Sequence, residues 1–88
     1  MKHAGSGALD ALEPMLAELR KLDGPKEKKR GVFYLKSRAF LHFHEDPAGL
    51  FCDVRLDPRD DFTRRAVNTQ QERGTLLKEV RAALARHA

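Results

Sequence analysis

The sequence predicts a single α+β domain built as a two-layer sandwich. Segments with apolar residues at helical spacing stand near both ends of the chain, and short strand-like runs lie between them. A stretch from residue 39 to residue 56 alternates in the manner of a β-hairpin. Two amphipathic helices can cover one face of an antiparallel sheet. We therefore expect a four-stranded sheet with both helices on one face, in the order α-β-β-β-β-α.

Size and composition limit the chain to one small domain. We assign residues 10–88 to that domain and residues 1–9, which are small and Gly-rich, to a disordered tail. A net charge of +4 permits an anionic partner without requiring one. Cys52 is the single cysteine, and neither a membrane-length apolar run nor a signal-peptide core is present. These observations predict a cytoplasmic protein with no membrane association.

The first helix is expected to begin between Asp10 and Pro14. Asp10 and Glu13 resemble a capping box, and proline is tolerated in the first helical turn, where its missing N–H costs least. A start as early as Ser6 would place Pro14 inside the helix and require a kink. A Gly-Pro pair at 24–25 ends the segment. Its apolar stripe consists of Leu12, Met15, Leu16, Leu19 and Leu22.

The central hairpin turns at residues 46–49, whose sequence Asp-Pro-Ala-Gly is typical of a type I turn. A four-residue loop pairs His42 with Asp53 and Phe43 with Cys52. This register separates apolar from polar side chains, which favours it over a three-residue loop with a bulge at the glycine. The apolar face carries Ala39, Leu41, Phe43, Cys52, Val54 and Leu56. The second face carries Phe40, His42, His44, Phe51, Asp53 and Arg55.

Two further strands and a final helix complete the predicted domain. Residues 32–36 form a strand that pairs Val32 with Phe43 and places Phe33 beside His42 on the second face. Residues 62–67 suit an exposed edge strand. A capping box at 69–72 opens the last helix. The apolar positions of that helix are Leu76, Leu77, Val80, Ala83 and Leu84.

The second sheet face is the predicted binding site. No helix covers it in a two-layer fold, and exposed apolar patches usually mark ligand or partner sites. The site predicts a non-catalytic binding module without a cofactor, and a homodimer through the same face is an alternative. Its ligand-binding residues are Phe33, His42, His44, Phe51, Asp53 and Arg55.

The histidines of this face permit two kinds of chemistry. His42, His44 and Asp53 could bind a metal as a 2-His-1-carboxylate set, because alternate strand residues share a face. Alternatively, His42 is a half-buried packing residue that is hydrogen-bonded to Asp53, or the two form an acid–base pair of an enzyme. Cys52 is predicted to face the helices and cannot serve that pair as a nucleophile.

Basic residues predict a second kind of partner, nucleic acid. Lys36 and Arg38 stand at a strand turn, and Arg64 and Arg65 lie on the edge strand. Together they could form a cationic surface for phosphates, with an aromatic residue available for stacking. The alternative is that these charges are scattered over a solvated surface.

The stretch GVFYLKSRAFLHFHEDPAGLFCDVRL, followed by a polar turn and a helix, resembles the core of the MmcQ/YjbR-like bacterial proteins. The matching pieces are FYLKSRAFLHF and LFCDVRL. The resemblance implies a frataxin-like α-β-α fold. It also implies a DNA-binding role, which is the function often ascribed to that family.

Overall fold

The structure, a computed structural model, describes residues 2–87, with side chains for residues 2–86. These described residues form two helices and six strands. The helices are α1 (Ser6–Arg20) and α2 (Gln70–His87). The strands are β1 (Lys2–His3), β2 (Lys26–Lys29), β3 (Val32–Leu35), β4 (Arg38–Asp46), β5 (Gly49–Val54) and β6 (Thr63–Ala66). Neither helix is long and apolar enough to cross a membrane, within the residues described.

The sheet is antiparallel and has six strands instead of the predicted four. Its order is β2-β3-β4-β5-β6, and β1 pairs with the far end of β4. The sequence KEKK of β2 has no apolar alternation and therefore does not predict a strand, although its backbone pairs with β3. Charged lysines suit such an edge strand because they discourage pairing with another chain. The α+β class is confirmed, and the strand number was wrong.

Helix α1 begins at Ser6, earlier than predicted. The N–H of Leu9 donates to the carbonyl of Gly5 at 2.9 Å, so helical hydrogen bonding precedes Pro14 by more than one turn. Pro14 stands inside the helix. A proline has no N–H to donate to the carbonyl of Asp10, four residues earlier. The side chains of Asp10 and Pro14 are both exposed, so water can satisfy that carbonyl. Residues 2–9, which the sequence placed in a disordered tail, belong here to β1, a short link and the first helical turn. Met1 lies outside the described residues.

The central hairpin has the predicted register. Asp46 pairs with Gly49, His42 with Asp53 and Phe43 with Cys52. The carboxylate of Asp46 accepts a hydrogen bond from the N–H of Ala48 at 2.7 Å, which fixes the turn locally. This segment therefore places His42, His44 and Asp53 on one face, as the sequence indicated.

The register between β3 and β4 differs from the prediction. Val32 pairs with His42, not with Phe43, and Phe33 pairs with Leu41. Lys36 and Ser37 form the turn with φ angles of 52° and 67°, the positive values of a two-residue type I′ turn. An irregularity in the ladder makes Phe40 an extra residue between Ala39, which pairs with Tyr34, and Leu41, which pairs with Phe33. Phe33 and Phe40 consequently enter the core, each only 2% exposed, rather than the second face.

The core lies between the helices and one face of the sheet. Its strand residues are Phe33, Phe40, Leu41, Phe43, Cys52 and Val54. Its helix residues include Leu12, Met15, Leu16 and Leu19 of α1 and Leu76 and Val80 of α2. Arg65, paired with Cys52 across β5 and β6, reaches Glu79 of α2 at 2.8 Å, which confirms that α2 lies over this face. The opposite face carries the polar residues of the hairpin and is not part of the helix layer.

Candidate metal centre

Three histidines converge on the open sheet face where β1 meets β4. His3 of β1 pairs directly with His44 of β4. His42 stands two residues before His44 and therefore points to the same face. Ring centroids are 4.9 Å apart for His3 and His44, 4.6 Å for His42 and His44, and 5.5 Å for His3 and His42. The backbone pairing of two strands that are distant in sequence thus creates an imidazole cluster.

The ring nitrogens of this cluster are close to the spacing of a metal site. One nitrogen from each of His3, His42 and His44 can be chosen so that all three lie within 4.8 Å of one another. A tetrahedral zinc site with Zn–N bonds of about 2.0–2.1 Å places its ligand nitrogens about 3.3 Å apart. To bind such an ion, the ring nitrogens would have to approach one another by up to about 1.5 Å.

Three nitrogen atoms in the cluster are buried without a hydrogen-bond partner. They are Nδ1 of His42 and both ring nitrogens of His44. Buried polar atoms are nearly always paired, because an unpaired one loses its contacts with water and gains nothing in return. A metal ion would supply the missing partner for one nitrogen of each ring, because a neutral imidazole has a single lone pair.

Asp53 borders the cluster but is held by an arginine. Its carboxylate accepts two hydrogen bonds from the Arg64 guanidinium, at 2.8 and 3.0 Å. These bonds hold the pKa of the Asp53 carboxyl below its ordinary value, so it is an anion at neutral pH. Oδ2 also lies 3.2 Å from Nε2 of His44, although the two are not aligned as a hydrogen bond. The structure therefore places Asp53 against His44 and Arg64 and shows no hydrogen bond to His42, its partner in the register.

His42 is set in an aromatic stack. The Phe62 ring meets the His42 ring edge-on, with centroids 4.8 Å apart, and the Arg55 guanidinium lies 4.3 Å from the centre of the same phenyl ring. Burial and the neighbouring His44 lower the pKa of His42. The His42 imidazole is therefore neutral at pH 7 and has a lone pair available without first losing a proton.

The structure keeps some of the predicted ligand-binding residues together and separates others. His42, His44 and Asp53 share the open face, and half-buried Phe51 pairs with His44 across the strands. Phe33 lies in the core on the other side of the sheet. Arg55 is held by backbone carbonyls of Ala39 and Asp60.

Sequence reasoning missed His3 and Phe62 as members of this face. His3 lies on a two-residue strand, which is too short to show a strand pattern. Phe62 comes just before β6, and its stack with His42 depends on how the loop after β5 folds back. Composition shows that the chain has four histidines, three of which are His3, His42 and His44. Composition does not show that these three lie together in the fold.

The predicted nucleic-acid residues do not form one surface strip. Arg64 and Arg65 are consecutive on β6 and point to opposite faces, where each makes a paired contact with a carboxylate, Asp53 and Glu79 respectively. The exposed residues Lys36 and Arg38 stand at the β3–β4 turn. Two strands, β4 and β5, separate that turn from β6.

The comparisons with known proteins leave function to be argued from these residues. The resemblance to the MmcQ/YjbR-like proteins, and the nucleic-acid role that it implies, stay predictions. No protein-family model, no curated protein and no solved structure matches this chain.

Proposed function

We propose that this protein is a small binding module whose ligand is a divalent transition-metal ion held by His3, His42 and His44. The observation that carries the proposal is the convergence of these rings, with ring nitrogens within 4.8 Å of one another. Imidazole nitrogen suits Zn²⁺, Ni²⁺ and Cu²⁺. Zinc is the probe of choice, because its coordination adapts to the geometry that the ligands offer.

The unpaired nitrogens support a metal rather than simple packing. Packing histidines usually satisfy their buried ring nitrogens with hydrogen bonds, whereas Nδ1 of His42 and Nδ1 of His44 have none. His42 is half-buried and neutral, which is the state that a ligand imidazole needs. The cluster is thus pre-assembled and already dehydrated on its inner side.

Asp53 fits the role of an orienting group better than that of a ligand. Metal-bound histidines commonly direct their second ring nitrogen at a carboxylate, which fixes the ring and makes it more basic. Nε2 of His44 lies 3.2 Å from Asp53, which leaves Nδ1 for the ion. Direct ligation by Asp53, as in the 2-His-1-carboxylate set predicted from the sequence, would compete with its two bonds to Arg64. We therefore favour a three-histidine set.

Titration of metal-free protein with zinc tests the proposal. After removal of metal by a chelator, isothermal titration and native mass spectrometry are expected to show one zinc ion per chain. ¹⁵N spectra of the imidazoles should report coordination through a ring nitrogen of His42 and His44. Absence of binding at equimolar zinc would refute the proposal.

Variants locate the ion. The double variant His42→Asn and His44→Asn is expected to abolish binding, and His3→Asn to weaken it. His87→Asn is the matched control, since its backbone ends α2, the helix that packs on the other face of the sheet. Undiminished binding by the double variant would place any bound zinc elsewhere and contradict the proposed site.

A further inference from the structure

A second concave site lies away from the histidines, where the β3–β4 turn meets the loop after β5. It is a pocket of about 180 Å³. Its apolar lining comes from Leu35, Ala39, Phe40 and Pro58, and the cationic residues of its wall are Lys36, Arg38 and Arg55. An engineered apolar cavity of about 150 Å³ is large enough to bind benzene, so this pocket can take a body of about six carbon atoms.

The guanidiniums of Arg38 and Arg55 make no ion pair within the part of the chain whose side chains are described. Arg55 donates to the carbonyls of Ala39 and Asp60, at 3.2 and 2.8 Å, and Arg38 donates to the carbonyl of Pro58. Among residues 2–86, neither guanidinium is within ion-pair distance of a carboxylate. Arg64, by contrast, donates from Nε and Nη2 to the two carboxylate oxygens of Asp53.

The carbonyl contacts hold these two guanidiniums in place while leaving them cationic. A carbonyl oxygen orients an N–H group without cancelling the charge, whereas a carboxylate would do both. Arg55 is also fixed by the face of Phe62, 4.3 Å away. The arrangement combines a small apolar cavity with positioned positive charge at its wall.

We infer that this pocket binds a small carboxylate whose apolar body is about the size of a benzene ring. The body would lie against Leu35, Ala39 and Phe40. The carboxylate would accept hydrogen bonds from Arg38 and Arg55, for which guanidinium geometry is well suited. The inference uses neither a histidine of the cluster nor a metal ion, so it stands or falls independently of the proposed function.

The test is a ¹⁵N-HSQC titration of the full chain with sodium benzoate. A chelator is present throughout, so that no metal ion is bound during the titration. Saturable shifts are expected at residues 35–40 and 55–57. Benzyl alcohol has the same ring without the charge, and acetate has the charge without the ring. Each is expected to bind about tenfold more weakly, the loss that one charge-assisted contact or a buried ring accounts for.

Two variants and a control make the result decisive. Arg38→Gln removes an exposed charge and is expected to weaken benzoate binding about tenfold. Ala39→Leu should fill the pocket and abolish binding, with an otherwise well-dispersed spectrum. Arg59→Gln, which removes an exposed guanidinium already paired with Asp57, should leave binding unchanged. Absence of saturable shifts, equal affinity for benzyl alcohol, or unchanged affinity in Arg38→Gln would each overturn the inference.

Discussion

Replacement of His44 by phenylalanine is expected to stabilise the metal-free protein while it abolishes zinc binding. The His44 side chain is only 13% exposed, and both of its ring nitrogens are buried without a hydrogen-bond partner. A buried polar group left unpaired costs about 1–3 kcal/mol, and the cost disappears when an apolar ring of similar shape takes its place. Phe51, directly across the strands, provides an aromatic neighbour for the new ring.

The larger ring sets a limit on this gain. Overpacking costs about 1–3 kcal/mol in a filled core, but His44 lies on the open face, where neighbours can move. We therefore expect a net increase of about 1 kcal/mol in the free energy of unfolding. For a domain of this size, that corresponds to a melting temperature about 4–8 °C higher.

Urea denaturation in the presence of a chelator measures this difference. The chain has no tryptophan, so circular dichroism of the helices is the suitable signal. An unchanged m-value would show that the variant alters stability and not the extent of unfolding. His3→Phe is the control, because His3 is exposed and its replacement should change stability by less than about 0.5 kcal/mol. A His44→Phe variant less stable than the parent would refute the reasoning, since it would mean that His44 is satisfied in the absence of metal.

Three further predictions follow from the same geometry. Asp53→Asn should weaken zinc binding about 10–100-fold, measured by calorimetry, because the group orienting His44 loses its charge; unchanged affinity would contradict an orienting role. The hydrogen bonds from Arg64 lower the pKa of Asp53. The stability that this pair contributes is therefore complete above the unfolded pKa of about 3.9 and is lost as the pH falls through the folded pKa. Arg64→Met should flatten the dependence of the urea midpoint on pH in that range, and an unaltered dependence would argue against the pair. Gly31→Ala should lower the free energy of unfolding, measured in urea, by about 1–3 kcal/mol. The reason is that φ is +81° and the added Cβ would lie 2.6 Å from a methyl of Leu9. An unchanged free energy would mean that both the backbone strain and the close contact relax.

The hairpin could be predicted because its information is local. Residues 46–49 have a strong turn sequence, and only one register separates the apolar from the polar side chains. The β3–β4 turn lacks such a signal. Lys36 and Ser37 both adopt positive φ there, and neither is a glycine or an asparagine, the residues that usually indicate such a turn. One extra residue at the irregularity of the ladder, Phe40, then sufficed to move Phe33 from the predicted ligand face into the core.

The site was harder to predict than the fold because its membership depends on tertiary pairing. His42, His44 and Asp53 were placed together correctly, since all three lie on one hairpin. His3 reaches them only through a two-residue strand, whose sequence carries no periodicity. The helix start was misplaced for a related reason: burial of Leu9, 8% exposed, favours an additional helical turn that the position of Pro14 argued against.

The short attachment of β1 has a consequence for the kinetics of the proposed site. Besides the pairing of its two residues, this segment is held by a hydrogen bond from Ala4 to the carbonyl of Phe43, by one from the N–H of Gly5 to Glu45, and by the Lys2–Glu45 ion pair. A segment with so few contacts undocks on a timescale far shorter than global unfolding. Each undocking would withdraw His3 and leave the ion on two imidazoles. The apparent dissociation constant then depends on the docked fraction. Metal would then exchange by opening of the β1 segment, on a timescale shorter than that of global unfolding.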